Sequence, residues 1–196
     1  MSSSPDIVAI HARSVESFLD RVRAVPDDAW ERATPCTDWN VRELVNHVVG
    51  EDRWTGPLVA GKTIADVGDS LDGDLLGADP KEAAQAAGKE AMVAFGEPGA
   101  AERTVHLSFG DTPASEYAWQ LTADHLIHGW DLAVATGGNT HLDPEVVGPV
   151  AAWFKSREEL YRAAGAIGER PEIGSDAVAA DQLLAAFGRD PHWRAP

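Results

Sequence analysis

With 196 residues, 44% of them hydrophobic, the chain is long enough for one sizeable core and too short for two full domains, so a single domain over residues 1–196 is expected. Lys and Arg total 16 against 32 Asp and Glu, a formal charge of -16; a surface that negative repels phosphate backbones and anionic membranes, which excludes nucleic acid and membrane as expected partners. The single cysteine, Cys36, excludes an intrachain disulfide and a thiolate-rich zinc or iron-sulfur site within one chain, so any bound metal must take nitrogen and oxygen ligands.

The opening MSSSPDIVAI lacks the basic and long apolar stretches of a secretion signal, and no later stretch approaches the roughly 20 apolar residues of a membrane span. A soluble, cytoplasmic protein, monomer or homodimer, is the expectation. Between Asp6 and about Val25 the apolar residues Ile7, Ile10, Val15, Phe18, Leu19 and Val22 recur at steps close to three and four, which predicts an amphipathic helix stopped by Pro26. A connection carrying Trp30 and Pro35 follows. Asn40 with Glu43 three residues on predicts a capping box that opens a second helix; its stripe is Val41, Leu44, Val45, Val48 and Val49, with His47 at the edge. From Gly56 to Asp79 the chain is rich in Gly and Asp, and a long surface crossover is expected there, not a packed element. The acids between Asp66 and Asp79 lack the alternation, central Gly and final Glu of a calcium loop, so they read as solvated.

Pro80 opens a third, Ala-rich helix to about Phe95, offering Ala83, Ala87, Met92 and Phe95 for packing. Beyond a turn at Gly96 to Gly99, Arg103 to Phe109 reads as a short extended stretch. The fourth long helix is predicted from Pro113 or Ser115 to Ala135, ended by Gly137 and Gly138, where glycine can adopt the left-handed cap. A further helix is expected from Pro144 to Ala164, with Val147, Val150, Trp153, Phe154, Leu160 and Tyr161 for packing. A Gly/Pro-rich crossing then leads to a short helix, Ala179 to Phe187, closed by Gly188. The pattern is that of a mainly all-α four-helix bundle with a long crossover, an additional helix and a C-terminal extension.

The fourth helix carries the chemistry, in the run Asp124-His125-Leu126-Ile127-His128-Gly129-Trp130-Asp131. Residues four apart share a helix face, so Asp124 and His128 can point at one ion, and His47, on another helix, can supply a third ligand. One carboxylate and two imidazoles suit one divalent ion, zinc first and nickel as an alternative, and three protein ligands leave positions for water or substrate. The plain alternative is a surface ion pair of Asp124 with His128, and a His47 satisfied at the core edge. Against it stand Leu121, Ile127, Trp130 and Leu132, among which unpaired polar groups are costly.

Neighbouring candidates divide by angle and spacing. His125 points about 100° away from Asp124 and reads as a core or supporting residue. Asp131 can accept a hydrogen bond from a ligand imidazole and fix its tautomer, or else be a solvated helix acid. Glu51, four residues after His47, is the substitute oxygen ligand. Cys36 reads as a small buried apolar residue. Trp30, Trp39, Trp54, Trp119 and Trp130 can wall a cavity, although most should fill the core. No GxSxG, HExxH, P-loop or dinucleotide-binding pattern is present, and no catalytic side chain is assigned.

The stretch Thr34-Pro35-Cys36-Thr37-Asp38-Trp39-Asn40-Val41-Arg42-Glu43-Leu44-Val45-Asn46-His47-Val48-Val49-Gly50 resembles the amino-terminal signature of actinobacterial DinB-like proteins of the mycothiol-dependent maleylpyruvate isomerase group. His128-Gly129-Trp130-Asp131-Leu132-Ala133 and the run from Leu183 to Trp193 are similar to the same group, so the resemblance spans nearly the whole chain. It implies a DinB-like four-helix bundle in which a histidine of the second helix and an acid-x-x-x-histidine or histidine-x-x-x-histidine pair of the last bundle helix hold the metal. His47, Asp124 and His128 occupy those positions; the isomerase carries glutamate where Asp124 stands, one methylene longer. The function implied is a metal-dependent, mycothiol-linked isomerase or S-transferase acting on a small electrophile, with mycothiol as candidate cosubstrate. A non-catalytic metal- or small-molecule-binding protein and a metal-dependent hydrolase are the alternatives.

Overall fold

The computed structural model describes residues 6–195; residues 1–5, part of the opening stretch read above for a leader, lie outside them. Asp6 caps helix α1 (Ile7–Ala24) by accepting from the amides of Val8 and Ala9. Helix α2 (Val41–Val59) begins at the predicted capping box: Asn40 accepts from the Glu43 amide at 2.9 Å, and Glu43 accepts from the Asn40 amide at 2.8 Å. It runs on through Gly56 and Pro57, where the loop was expected to start, because Leu58 and Val59 pack beside Phe95, Val105 and Tyr117.

The crossover over residues 60–79 is also more packed than its composition predicts. It holds a one-turn helix, α3 (Ile64–Val67), and is clasped to α2 by two side chains: Asn46 donates to the Gly73 carbonyl and accepts from the Leu75 amide, at 2.9 and 2.8 Å, and Arg42 pairs with Asp74 and donates to the Gly77 carbonyl, both at 2.9 Å. With the backbone so satisfied, Leu76 is buried in the core. Helix α4 (Pro80–Gly96) starts with Asp79 capping Glu82 and Pro80 in the first turn. Its Gly88 lies so close to α1 that an added Cβ would meet Val15 Cγ1 at 2.9 Å and Leu19 Cδ1 at 3.0 Å.

The extended stretch predicted around Arg103 to Phe109 is strand β1 (Thr104–Leu107), which pairs antiparallel with a second strand, β2 (Gly110–Pro113), that the sequence reading did not anticipate. Helix α5 (Ala114–Thr136) follows and ends where predicted, Gly137 taking the left-handed conformation with φ 74°. The single helix expected from Pro144 to Ala164 is instead two, α6 (Pro144–Phe154) and α7 (Glu158–Ala163). Between them the Arg157 amide donates to the Phe154 carbonyl at 2.7 Å, while the Arg157 side chain is held by Glu116 and the Trp153 carbonyl. The break turns Leu160 into solvent, although its spacing suggested packing. Helix α8 (Ala179–Ala186) closes the chain's ordered elements.

Helices α1, α5, α2 and α4 form a ring in which each packs on the next and α4 returns to α1. Val15, Phe18, Val22, Leu44, Val48 and Leu132 fill its centre. The outer face of α5 is covered in turn by α6 and α8, with Phe154 and Phe187 stacked at 3.8 Å. No described helix is long and apolar enough to cross a membrane.

One polar pair inside the ring shows how charge is distributed in the interior. His125 donates from Nδ1 to the Leu121 carbonyl at 2.7 Å, and its Nε2 faces Asp52 at 3.1 Å. Burial opposes its charge, but Asp52 outweighs burial and raises its pKa. His11, fully buried and edge-on to His125, has no hydrogen-bond partner for either ring nitrogen among the described residues, and burial together with the His125 charge lowers its pKa to about 3. The unfolded chain therefore binds a proton at His11 that the folded protein refuses, between the usual value near 6.5 and about 3. A depressed base contributes its full stability above the unfolded pKa and loses it as pH falls into that window. His11→Phe, which keeps the edge contact with Phe95, is expected to remove about 1 kcal/mol of the stability lost between pH 6 and pH 5, read as the difference between urea unfolding curves of the two proteins.

Candidate metal centre

The second turn of α2 and the middle of α5 bring His47, Asp124 and His128 together, one donor atom from each lying within 4.8 Å of the others. The capping box sets the rotation of α2, which places His47 at the edge of its buried stripe and facing α5. Asp124 and His128 sit one turn apart on α5, as their spacing requires. His47 Nε2 and Asp124 Oδ2 are 3.6 Å apart, too long for a hydrogen bond and close to the separation of about 3.3 Å that two ligands hold around one tetrahedral ion. The donor set thus fits a divalent ion: its atoms converge without saturating one another. Burial works against charge on both groups, yet their mutual contact and attraction win, holding Asp124 below the usual carboxylate range and raising His47.

The surroundings fix these side chains. Trp39 stacks on His47 with ring centroids 4.5 Å apart. His128 donates from Nδ1 to Asp131 at 3.1 Å, which leaves Nε2 as the available lone pair of the ring. Asp131 is fully buried and also receives Arg189 Nε and Nη2, at 3.0 and 2.9 Å. Burial alone would push the Asp131 carboxyl up, but the His128 hydrogen bond and the Arg189 charge hold it below its usual range. Arg189, from the segment after α8, had no role assigned from sequence; it lies in the stretch that carried the resemblance, with no local pattern to single it out.

His125 turns away from the cluster toward Asp52, as the helix angle predicts. Glu51 is not among the converging donors of the described residues. It lines a chamber of about 330 Å³ on one side of Asp124, where burial, then the Asp124 charge, push its carboxyl up to about 7. On the other side of Asp124 lies a trough of about 620 Å³ lined by His47, His128, Trp39, Cys36 and Arg189. Asp124, Tyr161 and Phe187 line both spaces. Cys36 is half-buried at the trough wall, and burial, opposed by Arg189, leaves its thiol pKa raised, so it stays protonated near neutral pH. Of the tryptophans, Trp39 and Trp54 wall these spaces and Trp130 fills the core between α5 and α6.

The model of the Mycothiol maleylpyruvate isomerase N-terminal domain family matches residues 11–133. Two uncharacterized proteins of Mycobacterium tuberculosis, from strains CDC 1551 / Oshkosh and ATCC 25618 / H37Rv, are each 32% identical over 186 residues, covering 94% of this chain and 98% of theirs. Among solved structures, the crystal structure of the mycothiol-dependent maleylpyruvate isomerase superposes with a TM-score of 0.65 at 14% identity, over 97% of this chain and 91% of that one. A histidine-to-alanine mutant of that isomerase gives 0.70 at 15% identity, over 96% and 90%. These two likenesses establish the shared DinB-like helical fold.

Removing the Asp131 carboxylate leaves the Arg189 guanidinium and the His128 imidazole without their common partner in a water-poor site. Asp131→Ala is expected to cost about 3 kcal/mol in urea unfolding, while Glu159→Ala, on an exposed face, stays within about 0.5 kcal/mol of the parent.

Proposed function

The chain belongs to the mycothiol maleylpyruvate isomerase N-terminal domain family, and on that premise we propose that it binds one divalent metal ion through His47, Asp124 and His128 and uses a low-molecular-weight thiol, mycothiol, to isomerise a small electrophile or to transfer the thiol sulfur onto it. The whole chain acts as one such domain. The observation that carries the reading is the convergence of three unsaturated donors, from two helices, at the wall between two cavities. Two imidazoles and one carboxylate favour zinc, then nickel.

A divalent cation there supplies a Lewis acid that lowers the pKa of a thiol reaching its free positions. The protein's own residues do the rest. Asp131 holds His128 in the tautomer whose Nε2 can ligate, and Arg189 holds Asp131 ionised. Trp39 fixes the plane of His47. The trough has room for the polar body of the thiol, and Glu51 Oε can hold or release a proton near neutral pH at the chamber wall. In isomerisation the thiolate adds to one carbon of an activated double bond, whose π electrons move onto the electron-withdrawing group. Rotation about the resulting single bond follows, and return of those electrons expels the sulfur with its original pair, so no atom is gained or lost. In S-transfer the adduct is kept by taking up the proton that the thiol gave up.

Elemental analysis of purified protein is expected to find about one divalent ion per chain. His47→Ala and His128→Ala should each lose most of it, and Cys36→Ser should keep it; full occupancy in both histidine variants would rule the triad out. The thiol half is read separately. Cobalt-substituted protein titrated with mycothiol should develop a near-ultraviolet sulfur-to-cobalt band, unchanged in Cys36→Ser, whereas a silent spectrum at saturation would favour hydrolysis or passive binding.

A further inference from the structure

The chamber beside Glu51 is built for a different kind of molecule from the trough. At about 330 Å³ it is at the small end of ligand pockets, with room for one ring and a short arm. Indoles of Trp54, from α2, and Trp153, from α6, wall it. Its polar groups are Ser108, Gln120, the phenols of Tyr117 and Tyr161 and the acids Glu51 and Asp124, and no Lys, Arg or His among the described residues lines it. Behind its wall, His47 already faces Asp124 at 3.6 Å, and Arg157 sits over the Trp153 ring at 5.0 Å from its centroid. Glu116 grips that guanidinium at two points, both 2.8 Å, so its charge is already matched. Arg189 in the trough is matched in the same way by Asp131.

We propose that this chamber is the electrophile subsite, and that it takes a neutral, aryl-sized molecule and rejects dicarboxylates. The inference rests on the reading of His47, Asp124 and His128 as the reactive centre, since Asp124 forms the chamber's inner wall. A carboxylate taken from water into this space meets indole faces and two acids, and an unpaired buried anion is strongly penalised. One carboxylate can be offset by an ion on the triad; a second finds neutral donors but no cation to match its charge. The formal charge of -16 adds a long-range barrier to a dianion. An aromatic ring instead finds stacking surfaces, with Gln120 and Ser108 able to donate to a carbonyl oxygen.

The test uses benzylacetone, a neutral aryl ketone with no reactive double bond, and maleate, a dicarboxylate, in isothermal titration calorimetry against metal-loaded and chelator-stripped protein. Benzylacetone is expected to bind at least roughly tenfold more tightly than maleate to the loaded protein. Trp54→Ala should weaken the ketone, and Gln120→Arg, which puts a cation at the half-buried chamber wall, should strengthen maleate and weaken the ketone, with circular dichroism confirming that both variants are folded. Maleate binding as tightly as the ketone to the parent protein, or no ketone binding to protein that carries its metal, would overturn the inference. Ketone binding that persists while the histidine variants keep full metal would support the chamber and remove the triad reading alone.

Discussion

Helix α5 has no solvent face. It contributes side chains to all three apolar clusters, with the ring of α1, α2 and α4 on one side and α6 and α8 on the other. A polar group at one of its buried positions has no water to fall back on, and an unmatched one costs what a lost hydrogen bond costs. The polar residues of α5 therefore dictate much of what packs around them. The Thr122 hydroxyl returns to the Ala118 carbonyl, and its own carbonyl receives the Ser14 hydroxyl of α1. His125 requires the Asp52 carboxylate of α2, and Asp131 requires Arg189 from beyond α8.

Asp124 is the exception, a partly exposed carboxylate without a hydrogen-bond partner among the described residues. Its nearest partner, His47, stands at 3.6 Å, so the pair attract without closing a hydrogen bond. The same helix supplies His128, already committed through Nδ1 to Asp131. Trp39 and Asp131 support the two histidines from behind, and the incomplete match among the donors leaves Asp124 and both imidazoles with capacity for a further partner. The two cavities follow from the same arrangement, because the α5 turn carrying Asp124 lies where the ring, the β hairpin and the α6 to α8 layer come closest without filling the space between them.

Much of this was legible in the residues because it is local. Asn40 with Glu43, Pro80 after Asp79, and Gly137 after Thr136 mark helix ends by their own hydrogen bonds or backbone freedom, and the structure puts the ends there. The Asp124 to His128 spacing needed only helix geometry. What escaped was decided by partners distant in sequence. The crossover packs because Asn46 and Arg42, far from it in the chain, satisfy its backbone and pair its Asp74. The helix after Pro144 breaks because Glu116 captures Arg157. Arg189 counts because Asp131, of another element, is buried without it. Periodicity sees none of these, since each is a tertiary match made by side chains distant in sequence.

The bond between Asp131 and Arg189 also sets an order of events during synthesis. All four ring helices have been made by Thr136, yet the cation that lets Asp131 be buried is translated much later. Until Arg189 arrives, burying Asp131 is opposed by its own desolvation, and His128 has a partner that prefers water. The nascent bundle thus holds His128 loosely until the segment after α8 packs against α5. An early-made helix waits for a late-made side chain before its own polar residue is settled.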